Sequence, residues 1–416
     1  MVAMMKSLEV AHVLIDFLKI GILGSLLAGL ASCAQVNAPK NLEPVAQGRG
    51  YQAQYRAVPK RKETRVTSPS PDLNASHCLS FRGGEYDKSR PMAQDVLLGD
   101  FLSRNDLLDV RIDQDKELSG QYVVSRSGTL SLPFLPPIPA QGRSTSAVEQ
   151  SLKRALVASE LYDNTPAVSV RVMDVSSVLV GVSGAVFEPH QIELGGVAGD
   201  QLDALRQGAI GASTESRNLS AGLRASGGVR PDADLSAVEL TRGGTTYMLD
   251  LRGVLQGQNM VDVMLLTGDQ IFVPSRGCFQ DDLMRPSPVS PVGISMFMSN
   301  LSQPATGNAP SAVGREVREM PYGTRYLQAV IDLNCVGGPR STSGHRSAVL
   351  LSRNPVSDVS VAIERDIEAL ISRADRDDYN PYILPGDAMA CYDSTVTNLA
   401  EVGRVLGLVT LGSLVN

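Results

Sequence analysis

The sequence predicts an α+β protein: a first domain, two copies of a second domain, and a C-terminal helix. Three observations predict it. Short β-rich runs alternate with single helical periods rather than with a regular βα rhythm. One order of elements recurs at a spacing of about 110 residues, which marks an internal repeat. The last 21 residues, Val396 to Asn416, carry no proline and, apart from a polar stripe of Thr397, Glu401 and Arg404, are mostly apolar.

The chain opens with a targeting signal. Lys19 precedes the apolar run Ile20 to Gly29, and Leu30-Ala31-Ser32-Cys33 follows. A basic start, a short apolar stretch and small residues before a cut site define a secretory signal. The run is shorter than the ~20 residues of a spanning helix. A cysteine at the cut site makes it a bacterial lipoprotein signal, with Cys33 as the lipidated residue. The expected divisions are a signal peptide at 1–32 and an extended tether at 33–93, rich in Pro, Arg, Ser, Gln and Gly. Ala34, not Asp, follows the cysteine, which favours the outer membrane.

The first domain is expected over 94–175. Leu107 to Ile112 reads as a strand, and Tyr122-Val123-Val124 with Thr129 to Pro133 as a hairpin around Gly128. Ser144 or Thr145 caps a helix carrying Val148, Leu152, Ala155 and Leu156 at helical spacing. Ala167 to Val172 alternates as a half-buried strand. The first repeat spans 176–276, from Val178 to Val186 through a helix ending at Gly227-Gly228 to the run Leu265 to Pro274. An inserted stretch, Gly208 to Ser220, reads as a loop. After a Pro/Ser linker at 277–292, the second repeat spans 293–393 in the same order, with Gly337-Gly338 after its helix and Ile383 to Cys391 at its close. Both Gly pairs fall where a helix stops in a left-handed backbone.

Asn105-Asp106, Gly268-Asp269 and Gly386-Asp387 read as structural turns rather than catalytic residues: the first residue takes the turn, and the Asp carboxylate bonds backbone amides two residues on. The net charge of −6, with no long basic run, argues against nucleic acid. Trp is absent and aromatics are 5%, which excludes extended stacking platforms. Beside Cys33, Cys78, Cys278, Cys335 and Cys391 permit two disulfides in three connectivities, or free thiols. No C-x-x-C, H-E-x-x-H, P-loop, G-x-S-x-G or dinucleotide fingerprint occurs. No catalytic residue, metal or cofactor is therefore expected, and the chain is not read as an enzyme.

Several of these stretches resemble the outer-membrane polysaccharide export family of the Wza type. Leu102 to Val110 is similar to that family's "L-x-x-G-D-x-L-x-V", with Asn105 in place of the glycine. Glu117 to Gly120, Val123 and Gly128 to Pro133 resemble its export-domain core. Val180 to Pro189 is similar to the opening strand of its soluble-ligand-binding (SLBB) β-grasp domains, with His190 after the proline. The second repeat lacks that opening signature. The resemblance implies a lipid-anchored homo-oligomeric ring that passes capsular or exopolysaccharide from periplasm to cell surface. It also implies an inner-membrane polysaccharide co-polymerase as partner.

The segment 394–416 is expected as a membrane helix. Its residues 396–416 would span ~30 Å as a helix, about a bilayer core. Thr397, Glu401 and Arg404 share one face, and Gly403 and Gly407 form a small-xxx-small pair. In the resembling family such helices line a barrel, so the polar face is expected to face its wet interior. The competing reading is a monomeric periplasmic glycan- or ligand-binding lipoprotein whose terminal helix packs on the second repeat.

Overall fold

The computed structural model describes residues 39–60, 73–87, 94–162, 164–195, 215–258, 262–300, 318–332 and 347–392. In the first domain, β1 (Leu107–Ile112) lies between β2 (Asp115–Val123) and β5 (Val168–Asp174), all antiparallel. Leu108, Val110 and Ile112 alternate into the core, as a strand with one buried face requires. Helix α1 (Thr145–Ala158) packs against β5 and inserts Val148, Leu152 and Leu156. The Ser144 hydroxyl caps it, accepting from the Ala147 amide at 3.3 Å. The expected hairpin is corrected. Tyr122 and Val123 pair with Leu108 and Leu107, while the short β3 (Thr129–Leu130) pairs with β4 (Ile138–Pro139). Gly128 makes a turn, but the strand before it belongs to another sheet.

The first repeat contains β6 (Val178–Gly184), β7 (His190–Leu194), α2 (Leu219–Ala225), β8 (Val238–Arg242), β9 (Thr245–Leu249) and β10 (Gln270–Val273). The second contains β11 (Gly293–Asn300), β12 (Arg318–Pro321), α3 (Tyr326–Asp332), β13 (Ser347–Arg353), β14 (Ser360–Asp366), α4 (Ile367–Ile371) and β15 (Ala388–Tyr392). The sheet orders are β7-β6-β10-β8-β9 and β12-β11-β15-β13-β14. Counting strands within each repeat, both read 2-1-5-3-4, with the opening and closing strands parallel and all other neighbours antiparallel. The helix follows the second strand in both. Each repeat has its own apolar core, distinct from that of the first domain.

Two connecting segments differ from expectation. Residues 277–292 are not a free linker. Leu283 and Val289 join the core of the first repeat, and Phe279 and Met284 that of the second. Residues 39–60 and 73–87 lack long regular elements, as their composition predicts, yet they are not a loose tether. They form a strap bound along both repeats. Val45 and Tyr55 are part of the second repeat's core. Asn41 mimics a strand edge, donating to the Ala362 carbonyl at 3.0 Å and accepting from its amide at 2.7 Å. Gln52 does the same with Tyr382, both bonds 2.8 Å. Side-chain amides thereby supply the pairing that the strap's irregular backbone does not. Further along, Leu79 exchanges bonds with Arg276, and Cys78 is joined to Cys278 by a disulfide. Among the described residues no helix is long and apolar enough to cross a membrane. The signal at 1–32, Cys33 and the segment 394–416 lie outside them.

Candidate functional site

The three predicted Asp turns share one geometry. Asn105, Gly268 and Gly386 have φ of 66°, 96° and 85°. Asn enters this left-handed region more readily than most residues, so it can stand where the other turns have glycine. Each carboxylate reaches back three residues rather than forward two. Asp106 accepts from the Ser103 amide at 2.7 Å, and Asp269 and Asp387 accept from the Leu266 and Leu384 amides at 2.9 Å each. Each Asp amide donates in return to the carbonyl of that same residue, at 3.3, 3.0 and 3.1 Å. The turn is thus closed by backbone and side chain together, just before β1, β10 and β15.

What faces each carboxylate differs. Asp106 forms a 2.8 Å ion pair with Arg217, and the two side chains are 2% and 0% exposed. Arg217 also donates to the Ser176 and Phe101 carbonyls, both at 3.3 Å, and Ser176 donates its amide to Asp106 at 3.0 Å. This cluster locks the first domain, the connection after β5 and the turn before α2 into one joint. The turns themselves touch there, because the Thr267 amide donates to the Ser103 hydroxyl at 3.2 Å.

Asp269 is gripped by Arg242 in two-pronged fashion, at 3.0 and 2.7 Å, and Arg242 also donates to the Met264 carbonyl. Asp387 has no such partner among the described residues. In the register of the two sheets Thr241 opposes Gln270 and Leu351 opposes Ala388, so Ser352 occupies the step of Arg242. The Ser352 hydroxyl hydrogen-bonds Asp387, and the Tyr55 hydroxyl of the strap donates to Ser352 at 3.0 Å. Burial pushes the Asp387 carboxyl up to about 7, against the pull of the Ser352 and Leu384 bonds. The strap is anchored beside it by Arg365. That buried guanidinium donates to the Gln54, Tyr55 and Arg56 carbonyls at 3.1, 3.2 and 3.0 Å. Burial lowers Arg365 to about 10.

The first repeat also has a cavity of about 930 Å³ beneath the strap, whose lining includes Phe81, Tyr86, Phe279, Arg252 and Arg276. Arg276 and Arg252 stack on the Phe81 ring, 3.6 and 5.0 Å from its centroid. Among the described residues no cluster has the composition of a metal site.

Gly227 and Gly228 both have positive φ after α2, and their amides donate to the Arg224 and Leu223 carbonyls. A Cβ on Gly228 would meet the Pro291 nitrogen at 2.3 Å, so glycine also permits the close approach of the connecting segment. Of the three cysteine pairings, only one contains Cys78–Cys278; Cys391 is disulfide-bonded as well. Gly337, Gly338, Cys335, Thr397, Glu401, Arg404 and the lipidation residue Cys33 lie outside the described residues.

Arg217, Arg242, Ser352, Arg365 and Tyr55 were not singled out by the sequence. Arg217 sits in the stretch 208–220 expected as an inserted loop; there residues 215–217 form a 3-10 turn and α2 starts at Leu219. An arginine within that otherwise small and polar stretch is the signal that could have found it.

An α+β domain built on an Asp-closed turn, followed by two like-ordered sheets, is thus the class of molecule at hand. Residues 100–173 match the family model of the polysaccharide biosynthesis/export proteins. The matched segment runs from just before the Asp106 turn into β5. A comparison with curated proteins found no match.

Proposed function

We propose that the chain is a lipid-anchored outer-membrane export protein that forms a homo-oligomeric ring and passes capsular or exopolysaccharide from periplasm to cell surface. The match of 100–173 to the export family carries this reading. The two repeats act as SLBB-type β-grasp domains, a role supported by their shared 2-1-5-3-4 order. On this reading the lipidated start and the apolar 394–416 segment enter the same membrane.

The rigid joint at Asp106–Arg217 fits a stack of domains that must keep one path open. A hydrated polymer cannot cross hydrocarbon, where each unpaired polar group costs several kcal/mol. A ring of like chains with closed symmetry supplies a wet route. Glu401, Thr397 and Arg404 face that route, and a co-polymerase in the inner membrane meets the export domain. No residue is assigned a catalytic role.

The experiment is a deletion of the encoding gene in a polymer-producing strain. Polymer should accumulate in the periplasm and vanish from the surface. The full chain should restore display, and a chain ending at Ser394 should not. Surface polymer at normal levels in the deletion strain would overturn the proposal.

The cavity over Phe279 favours one second reading, a periplasmic ligand-binding lipoprotein without a pore. On that reading the chain ending at Ser394 restores function fully.

A further inference from the structure

The two repeats build the same turn around Asp269 and Asp387, yet among the described residues the cation of the first has no counterpart in the second. Ser352 stands at the step of Arg242, and the strap's Tyr55 reaches it. Tyr55 is 3% exposed and Asp387 1%. The groups facing Asp387 are few. From β13 comes the Ser352 hydroxyl, and from its own turn the Leu384 amide. From the strap comes Tyr55, which feels Asp387 and, more weakly, Glu43. Arg353, next along β13, is turned to the surface and paired with Asp358. Arg365, behind the strap, is spent on carbonyl oxygens. Among the described residues no cation neutralises Asp387.

We infer that the strap is an acid-tightened latch: it closes over a neutral Asp387 carboxyl and loosens when that carboxyl gives up its proton. A neutral carboxyl under Tyr55 is a satisfied hydrogen-bonded group. An ionised one keeps the Ser352 and Leu384 bonds but is a buried anion with no cation against it among the described residues, relieved by letting the strap lift and water enter. The direction follows from linkage. Lifted into water, the carboxyl moves toward the ordinary value of about 3.9; docked, it sits at about 7. Between those values docking takes up a proton. The latch is therefore firmest below about pH 4, weakens as pH rises toward 7, and changes little above it. This inference does not depend on the export role.

The test is hydrogen–deuterium exchange of the full chain across pH 4.5 to 8, corrected for the chemical exchange rate. The reporters are the amides of Tyr55, Arg56 and Ala57, which bond within the strap. The Leu350 amide, in the core strand β13, reports global opening. The expected result is strap opening that rises by up to tenfold per pH unit up to about pH 7 and then levels, with Leu350 not following it. Asp387→Asn keeps an acceptor for Leu384 and a donor for Ser352, and should give a strap that is closed and indifferent to pH. Tyr55→Phe should open the strap at every pH while keeping the slope. A wild-type strap with no slope, a slope that survives in Asp387→Asn, or one that disappears in Tyr55→Phe would each overturn the latch.

Discussion

The first and second repeats hold the strap by different means. At the end of the first repeat the strap is fixed covalently to the connecting segment through Cys78–Cys278, and the turn carboxylate Asp269 has its own arginine. On the second repeat the strap itself completes the turn, through Tyr55, Ser352 and Asp387, with no covalent bond among the described residues. One sheet topology thus serves as a self-sufficient unit in one place and as an incomplete one in the other. The lesson is that a repeat's closing turn is a socket. An arginine within the sheet fills it in the first repeat, and a tyrosine from far along the chain fills it in the second. The joint at Asp106 is a third socket, filled by Arg217 from the neighbouring domain.

Filling the sockets differently should give graded losses. Arg217→Ala is expected to be the most damaging change, because it strands the buried Asp106 carboxylate without a cation. Breaking such a pair costs about 3–5 kcal/mol, and the unfolding transition of the first domain should fall accordingly in a thermal melt. An unchanged melting profile would mean that the joint is not held by this pair.

Cys278→Ser should follow. The bridge closes a loop with a sequence separation of 200 residues, and its removal is expected to cost about 2–4 kcal/mol. Limited proteolysis should then cut near residues 79–86, which the intact bridge protects. A reductant should reproduce that cutting near residues 79–86 in the wild-type chain and add none there in the variant.

Arg242→Ala removes a pair of which the arginine is 16% exposed. Water can partly replace it, so about 2 kcal/mol is expected, read by denaturant unfolding. A loss as large as that of Arg217→Ala would erase the distinction between the two sockets. The smallest change is Tyr55→Phe, which deletes one hydroxyl and should cost about 1 kcal/mol. Its effect should appear in exchange of the strap and hardly at all in the global melt.

How much of this was legible in the sequence differs by element. Strand β1 and helix α1 carry clean periods, 2 and 3.6, and their ends fall close to where pattern and capping put them. The two-copy organisation was legible because each copy ends on the same Gly-Asp turn. Strand β7 was missed, although Ile192 and Leu194 alternate inward, since His190 and two further polar residues blunt its pattern. The hairpin around Gly128 misled because the turn is real and the pairing is not local: β2 returns to β1. The strap was read as a tether because its composition is that of an extended chain. Val45 and Tyr55 alone do not announce a core contact, and their partners lie far along the sequence. Turn residues are written locally, whereas the side chains that fill the sockets come from elsewhere, so sequence reading found Asp106, Asp269 and Asp387 but not Arg217, Arg242 or Tyr55.

The export reading is tested most directly by electron-microscope imaging of the detergent-extracted lipoprotein, full-length beside a form ending at Ser394. The account predicts rings from the full-length chain, with a narrow membrane-embedded crown that is lost on truncation. Dispersed monomers in both preparations would contradict it.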